Sequence, residues 1–129
     1  MESDHDRLGS WLDRFGRAWE TRDPERAAAL FSEEGSYRES PFDEPLTGPD
    51  EIRARWSSLP KAREDIQFAY EVLAITDRWG IARWRGTYTP VNRDTPLELD
   101  GILLVSLDEE GRCRDFREWS VRRERGADR

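Results

Sequence analysis

Cysteine is almost missing from this chain of 129 residues. Cys113 stands alone, so no internal disulfide can form, and a lone thiol fits a reducing compartment. Lysine is as scarce, Lys61 against twenty arginines, and His5 is the only histidine. With no Cys pair, no His-x-x-x-His and no Gly-rich phosphate loop, neither a metal nor a nucleotide cofactor is expected. No apolar run approaches the ~20 residues of a membrane span. The start, MESDHDR, is acidic and lacks the basic and apolar regions of a secretory signal. The expectation is therefore a soluble, cytoplasmic protein with no membrane partner. Positive charge in patches is absent too. The net charge is −7, and the arginines alternate with Asp and Glu, which argues against nucleic acid as a partner.

What is present is aromatic surface. Charged residues make up 38% and apolar residues 36%, but six Trp, five Phe and three Tyr supply enough large side chains for a folded core. The length suits one domain, residues 1–129, with a core from about 8 to 121 and a charged, frayed tail over 122–129.

Leu8, Trp11, Leu12, Phe15, Ala18 and Trp19 fall at helical spacing, with Asp13, Arg14, Arg17 and Glu20 opposite, so residues 5–20 read as an amphipathic helix. Asp23-Pro24 starts a second helix, expected to run through Phe31 and stop before Gly35. SYRESPFDEPLTG then reads as a short strand and a Pro-rich loop. A third helix from about Pro49 presents Ile52, Trp56 and Leu59. Strands follow. Ile66, Phe68, Tyr70 and Val72 alternate until Leu73 and Ile75 take the other parity, which places a bulge near 72–74. After the turn at Asp77–Gly80, Trp84, Gly86 and Tyr88 should face inward, with Arg83 and Arg85 outward.

The most informative stretch is Pro96–Val121, two long strands joined at Asp108–Gly111, where Gly111 suits a positive φ. With those four residues as the loop, Leu103 would face Phe116 and Gly101 would face Glu118. One sheet face then collects Leu99, Gly101, Leu103, Val105, Phe116, Glu118 and Ser120, a carboxylate among apolar side chains beside a glycine that leaves it room. Helices, a short strand, a third helix and a long meander give an α+β fold. A strongly curved antiparallel β-sheet would wrap around the N-terminal helices as a cone-shaped α+β barrel.

Several pieces in this order, WETRD (19–23), SPF (40–42), LTG (46–48), LDEEGR (107–112) and REW (117–119), resemble the nuclear transport factor 2-like superfamily, especially its SnoaL-like and ketosteroid isomerase-like members. The resemblance covers Leu8 to Val121. It implies a pocket inside the cone, binding a small hydrophobic molecule, and a homodimer formed through the outer sheet face, where Ile102, Leu104 and Trp119 lie beside charges. Carried over residue by residue, the isomerase machinery is missing: Ser40 stands at the general base, and Phe15 and Leu103 stand at the two oxyanion donors. Against limonene epoxide hydrolase-like members only the last-strand acid survives, at Glu118, with Trp84 and Gly86 at the other two positions.

Glu118 thus has two readings of similar weight. It is a general acid or base with a proton affinity raised by an apolar pocket, or it is a carboxylate paired with Arg38 or Arg114. Arg38 and Ser40 share a strand face, so Arg38 is expected beside Glu118, and these two are the candidate catalytic pair. Phe15, Trp19, Ser40, Trp56, Phe68, Trp84, Tyr88, Leu103 and Phe116 are the expected pocket lining; taken singly, each aromatic also reads as ordinary core. Cys113, between Arg112 and Arg114, is either a thiol with lowered pKa or a small buried residue. The functional expectation is cofactor-independent acid–base chemistry of isomerase, cyclase or hydrolase type on a small apolar molecule. The alternatives are a non-catalytic ligand-binding domain and a protein-association module.

Overall fold

Sequence periodicity and end signals set the helices. In the computed structural model, which describes residues 3–125, α1 spans Asp4–Thr21. The Ser3 hydroxyl caps it by accepting from the Asp6 N–H at 3.0 Å, and its stripe of Leu8, Trp11, Leu12, Phe15 and Ala18 is buried. His5 is exposed in the first turn of this helix. The helix ends at Arg22, a non-glycine residue in the left-handed region (φ 52°), whose N–H closes onto the Ala18 and Trp19 carbonyls.

Asp23 caps α2 (Pro24–Ala28) by accepting from the N–H groups of Glu25 and Arg26. This helix is shorter than expected. Phe31 is already in strand β1 (Phe31–Arg38), because Leu30 and Phe31 are claimed by the core and the Leu30 carbonyl accepts from Cys113 N–H at 2.8 Å. The two-residue β2 (Leu46–Thr47) follows the Pro-rich loop, and α3 (Gly48–Ser57) buries Ile52 and Trp56.

The meander is β3 (Gln67–Ile75), β4 (Gly80–Tyr88), β5 (Leu97–Leu107) and β6 (Cys113–Glu124). The six strands form one open sheet in the order β2-β1-β6-β5-β4-β3. It is antiparallel except at β1–β6, which run parallel, so the sheet is mixed where an antiparallel one was expected. A parallel pair needs a long crossover, and the intervening chain (α3 with the β3–β5 meander) supplies it. The expected bulge is present between Val72 and Ala74.

The β5–β6 pairing corrects the expected register. A second irregularity between Ser106 and Leu107 pairs Leu107 with Cys113, and beyond it Val105 faces Phe116, Leu103 faces Glu118 and Gly101 faces Ser120. Side-chain parity is preserved, so the expected face composition stands, but Gly101 is not the neighbour of Glu118. Its missing side chain serves the backbone: a Cβ there would lie 1.9 Å from the Trp119 carbonyl oxygen. Gly111 takes the expected positive φ (82°). Of the charged tail, residues 122–124 continue β6 instead of fraying, and residues 126–129 lie outside the described residues.

The core between α1, α3 and the sheet is a pile of rings. Trp11 stacks on Phe15 at 5.2 Å, Phe15 meets Phe116 at 5.2 Å, Tyr37 stacks on Phe116 at 4.9 Å, and Phe68 stacks on Trp84 at 5.8 Å. On the other sheet face, Trp119 (40% exposed) and Val121 (74%) reach solvent beside half-buried Ile102 and Leu104.

Candidate functional site

Strand β6 carries Phe116 and Glu118 on its inner face, and β1, running parallel beside it, pairs Tyr37 with Phe116 and Arg38 with Arg117. The inward residues of β1 are therefore Tyr37 and, just past the strand end, Glu39. Arg38 lies on the outer side next to Arg117, and its guanidinium donates to the Pro41 carbonyl at 3.5 Å. Ser40 turns into the Pro-rich loop, where its hydroxyl accepts from the Phe42 N–H. Alternation put Arg38 and Ser40 on one face directed at Glu118, but β1 ends at Arg38 and it is the opposite face, with Tyr37, that enters the cone. The aromatic Tyr37 was the signal for that choice, since a ring on a half-buried strand belongs inside.

The cluster that forms instead is Glu118, Tyr37, Glu39, Arg55 and Trp56. Trp56, on α3, donates its indole N–H to the Tyr37 hydroxyl at 3.1 Å, and that hydroxyl donates to Glu39 Oε2 at 2.9 Å. Arg55 Nε pairs with Glu39 Oε1 at 2.7 Å. Glu39 is thereby fixed from two sides. Glu118 accepts from the Ser120 hydroxyl at 3.3 Å and has no ion-pair partner among the described residues. Burial first, and the charge of Glu39 second, push its carboxyl up to about 8, against smaller opposing effects of Ser120 and Arg55. The Tyr37 phenol is pushed well above its usual 10 by burial, Glu39 and Glu118 in that order. At neutral pH the site holds a protonated Glu118 carboxyl and a neutral Tyr37 phenol beside the Arg55–Glu39 ion pair.

The remaining expected residues lie in the ring pile or at its edge. Phe15, Trp56, Trp84, Leu103 and Phe116 are almost fully buried and packed on one another, so the inner cone is filled by its own rings. Trp19, Phe68 and Tyr88 are half-buried further out, with Trp19 at 5.9 Å from Phe68 and Trp84 and 6.0 Å from Tyr88. An open cleft of about 630 Å³ lies beyond Trp56, walled by Arg22, Leu59, Lys61, Ile66 and Val91 among others. Cys113 is fully buried, its thiol donates to the Asp115 carbonyl, and burial raises its pKa to about 12, so the flanking arginines do not activate it. Among the described residues no group of His, Cys, Asp or Glu is arranged to hold a metal ion. No helix of the described chain is long and apolar enough to cross a membrane.

Residues 12–116 match the SnoaL-like domain family. No curated protein matches the sequence. Among solved structures, a protein of Novosphingobium aromaticivorans provisionally assigned as a scytalone dehydratase superposes with a TM-score of 0.76 at 11% identity, covering 91% of this chain and 84% of that one. SalBIII, an epoxide hydrolase/cyclase-like enzyme of pyran ring formation in the polyether salinomycin, gives 0.74 at 13% identity, with 92% and 93% covered. A Catenulispora acidiphila protein with a ketosteroid isomerase-like fold, in complex with trimethylamine, gives 0.73 at 14%, with 84% and 83% covered. At such identities the likeness is one of fold.

Proposed function

We propose, for a chain that belongs to the SnoaL-like domain family, cofactor-independent acid–base chemistry on a small apolar molecule, with Glu118 as the proton-transferring group. The observation that supports this most is the pairing of two carboxyls in unlike surroundings. Glu39 is tied to Arg55, while Glu118 is half-buried without a cation at contact and holds its proton near neutrality. Environments that separate two carboxyls in this way produce a donor at the pH where an ordinary carboxyl is spent. A carboxylic acid that starts protonated delivers its proton to a carbonyl, hydroxyl or epoxide oxygen. Once ionised, it retrieves a proton, from carbon in dehydration and isomerisation or from the attacking hydroxyl when an epoxide opens in cyclisation. Dehydration, cyclisation and isomerisation all use that sequence.

Tyr37 acts as a positioning residue. Its hydroxyl proton is committed to Glu39, and Trp56 holds its oxygen from the other side. Arg38, on the outer side of the sheet, has no part in this reading.

The test is turnover of β-hydroxy ketone and epoxy-alcohol probes, with proton exchange at the α-carbon of a ketone followed in deuterated water. Glu118→Gln should reduce the rate by ~10²–10⁴, the usual worth of a general acid or base, while Arg38→Gln leaves it unchanged. Equal rates in wild type and Glu118→Gln would refute the role. Ligands that raise the melting temperature of both forms without turnover would favour the non-catalytic binding reading. Self-association through the outer sheet face, carried by exposed Trp119 and Val121, belongs to the same proposal.

A further inference from the structure

Arg22 is an unusual way to end a helix. The left-handed position it occupies (φ 52°) suits glycine, and a side chain there carries a conformational cost. The side chain it places is a cation laid over two rings, with the guanidinium carbon 4.6 Å from the Tyr88 centroid and 5.5 Å from that of Trp19. Gly86 makes room for this arrangement, since a Cβ there would lie 2.5 Å from the Trp19 ring.

The guanidinium is half-buried, has the Tyr88 hydroxyl as its hydrogen-bond neighbour and has no carboxylate partner among the described residues. Its Nε is a buried donor without an acceptor, as is the indole Nε1 of Trp84, whose ring packs against Trp19. Most other arginines that approach an acid here are engaged, as Arg53 is with Glu25 and Asp50, or Arg83 with Asp100. Of these two residues Arg22 lines an open space and Trp84 does not, so it is the guanidinium that can take an acceptor from outside.

That space is the cleft of about 630 Å³ beyond Trp56, within the ~300–1,000 Å³ usual for small-molecule sites. Its apolar walls are Trp56, Leu59, Ile66 and Val91, and Lys61 stands with Arg22 on its lining. The wall is held in place by the Ala62–Pro90 bridge and by the Val91 N–H donating to the Lys61 carbonyl at 3.2 Å. Glu20 and Glu64 also line the cleft; Glu20 is occupied by the Phe68 N–H at 3.1 Å, and neither pairs with Arg22. Arg63, at the same rim, reaches Asp94 at 3.7 Å and the Arg93 carbonyl.

We infer that this cleft binds a small molecule with an apolar, ring-sized body and one carboxylate, the carboxylate seated on Arg22. The inference is independent of the acid–base reading, because Glu118 does not line the cleft. Planar guanidinium donors match a carboxylate, and the ring box beneath Arg22 keeps the cation desolvated and oriented before the ligand arrives.

The experiment titrates the protein with 1-naphthoate and with the uncharged 1-naphthamide, following tryptophan fluorescence from Trp19 and Trp56. Naphthoate should bind saturably and at least tenfold more tightly than the amide. Arg22→Gly, which relieves the backbone at φ 52° and so should fold, should weaken naphthoate at least tenfold and leave the amide unchanged. Arg22→Lys should fall between. Glu118→Gln should bind naphthoate like wild type, so a failure of turnover and a failure of this site are told apart. Equal affinity for acid and amide, an Arg22→Gly variant that binds naphthoate undiminished, or no saturable quenching would each overturn the inference.

Discussion

At Glu118 burial and function pull on one carboxyl group. The native chain holds a proton there up to about pH 8, whereas the unfolded chain releases it near 4.5. Between those values the native state binds more protons than the unfolded state, so raising the pH favours unfolding. The contribution of this group is complete below the unfolded value, fades as pH climbs through the folded one and is gone above it. Its full size is on the order of 3 kcal/mol after allowance for partial solvent access. Glu118→Gln keeps the shape and removes the charge. Urea melts of the variant should be nearly flat from about pH 5 to 8 where the wild type declines, and the variant should be the more stable form at about pH 9. A wild-type decline preserved in the variant would mean that another group titrates. Asp65 and Asp100 belong to the opposite limb. Hydrogen bonds from Thr89 and Arg83 hold their carboxyls low, so their contributions are present above the ordinary aspartate range and lost as pH falls below it.

Among the elements, the β5–β6 hairpin decides where Glu118 points, and Gly101 is the tightest spot in it. A Cβ at Gly101 would meet the Trp119 carbonyl oxygen at 1.9 Å and Ser120 Cα at 2.7 Å, both backbone atoms that cannot swing aside. Gly101→Ala should therefore cost roughly 1–3 kcal/mol or more, as overpacking does, because the strands must separate. Gly111→Ala at the turn has open space and only its φ of 82° to oppose it, so its cost should be smaller, about 1 kcal/mol. Chemical denaturation of both variants checks the ranking, and the reverse order would place the constraint in the turn.

The same hairpin shows what alternation conveys. Period-two parity put Glu118 with Leu103 and Phe116 on the inner face without knowledge of the register, because a slip of two residues leaves faces unchanged. A turn one residue longer than expected and the bulge at Ser106–Leu107 each shifted the partners by one, and neither has a counterpart in the hydrophobic pattern. On β1 the parity was legible but its sense was not. Arg38 looked like a partner for Glu118 because a buried charge calls for one, whereas the protein leaves Glu118 without a cation and gives the arginine, Arg55 on α3, to Glu39 instead. That contact joins residues far apart in sequence, and only the packing of α3 on β1 makes it.

For the whole molecule, the two sheet faces differ in composition. The inner face is filled with rings and carries the carboxyl pair. The outer face of β4, β5 and β6 carries Ile81, Ile102, Leu104, Trp119 and Val121 around the Arg83–Asp100 ion pair, with Trp119 directly opposite Ile102 and Leu104 opposite Ile81. One-sided antiparallel sheets ordinarily present polar side chains to water, so a row of this composition is better satisfied against a second sheet. A two-fold pairing of this face makes the patch self-complementary, and Arg83 and Asp100 of one copy can then answer Asp100 and Arg83 of the other. Sedimentation equilibrium at micromolar concentration should give twice the 15.2 kDa of one chain. Trp119→Lys, on the outer face and away from Tyr37 and Glu118, should return the single-chain mass with the far-ultraviolet spectrum unchanged. A wild type that sediments as a single chain would refute the pairing. A Trp119→Lys variant that remains a dimer would move the contact to another surface.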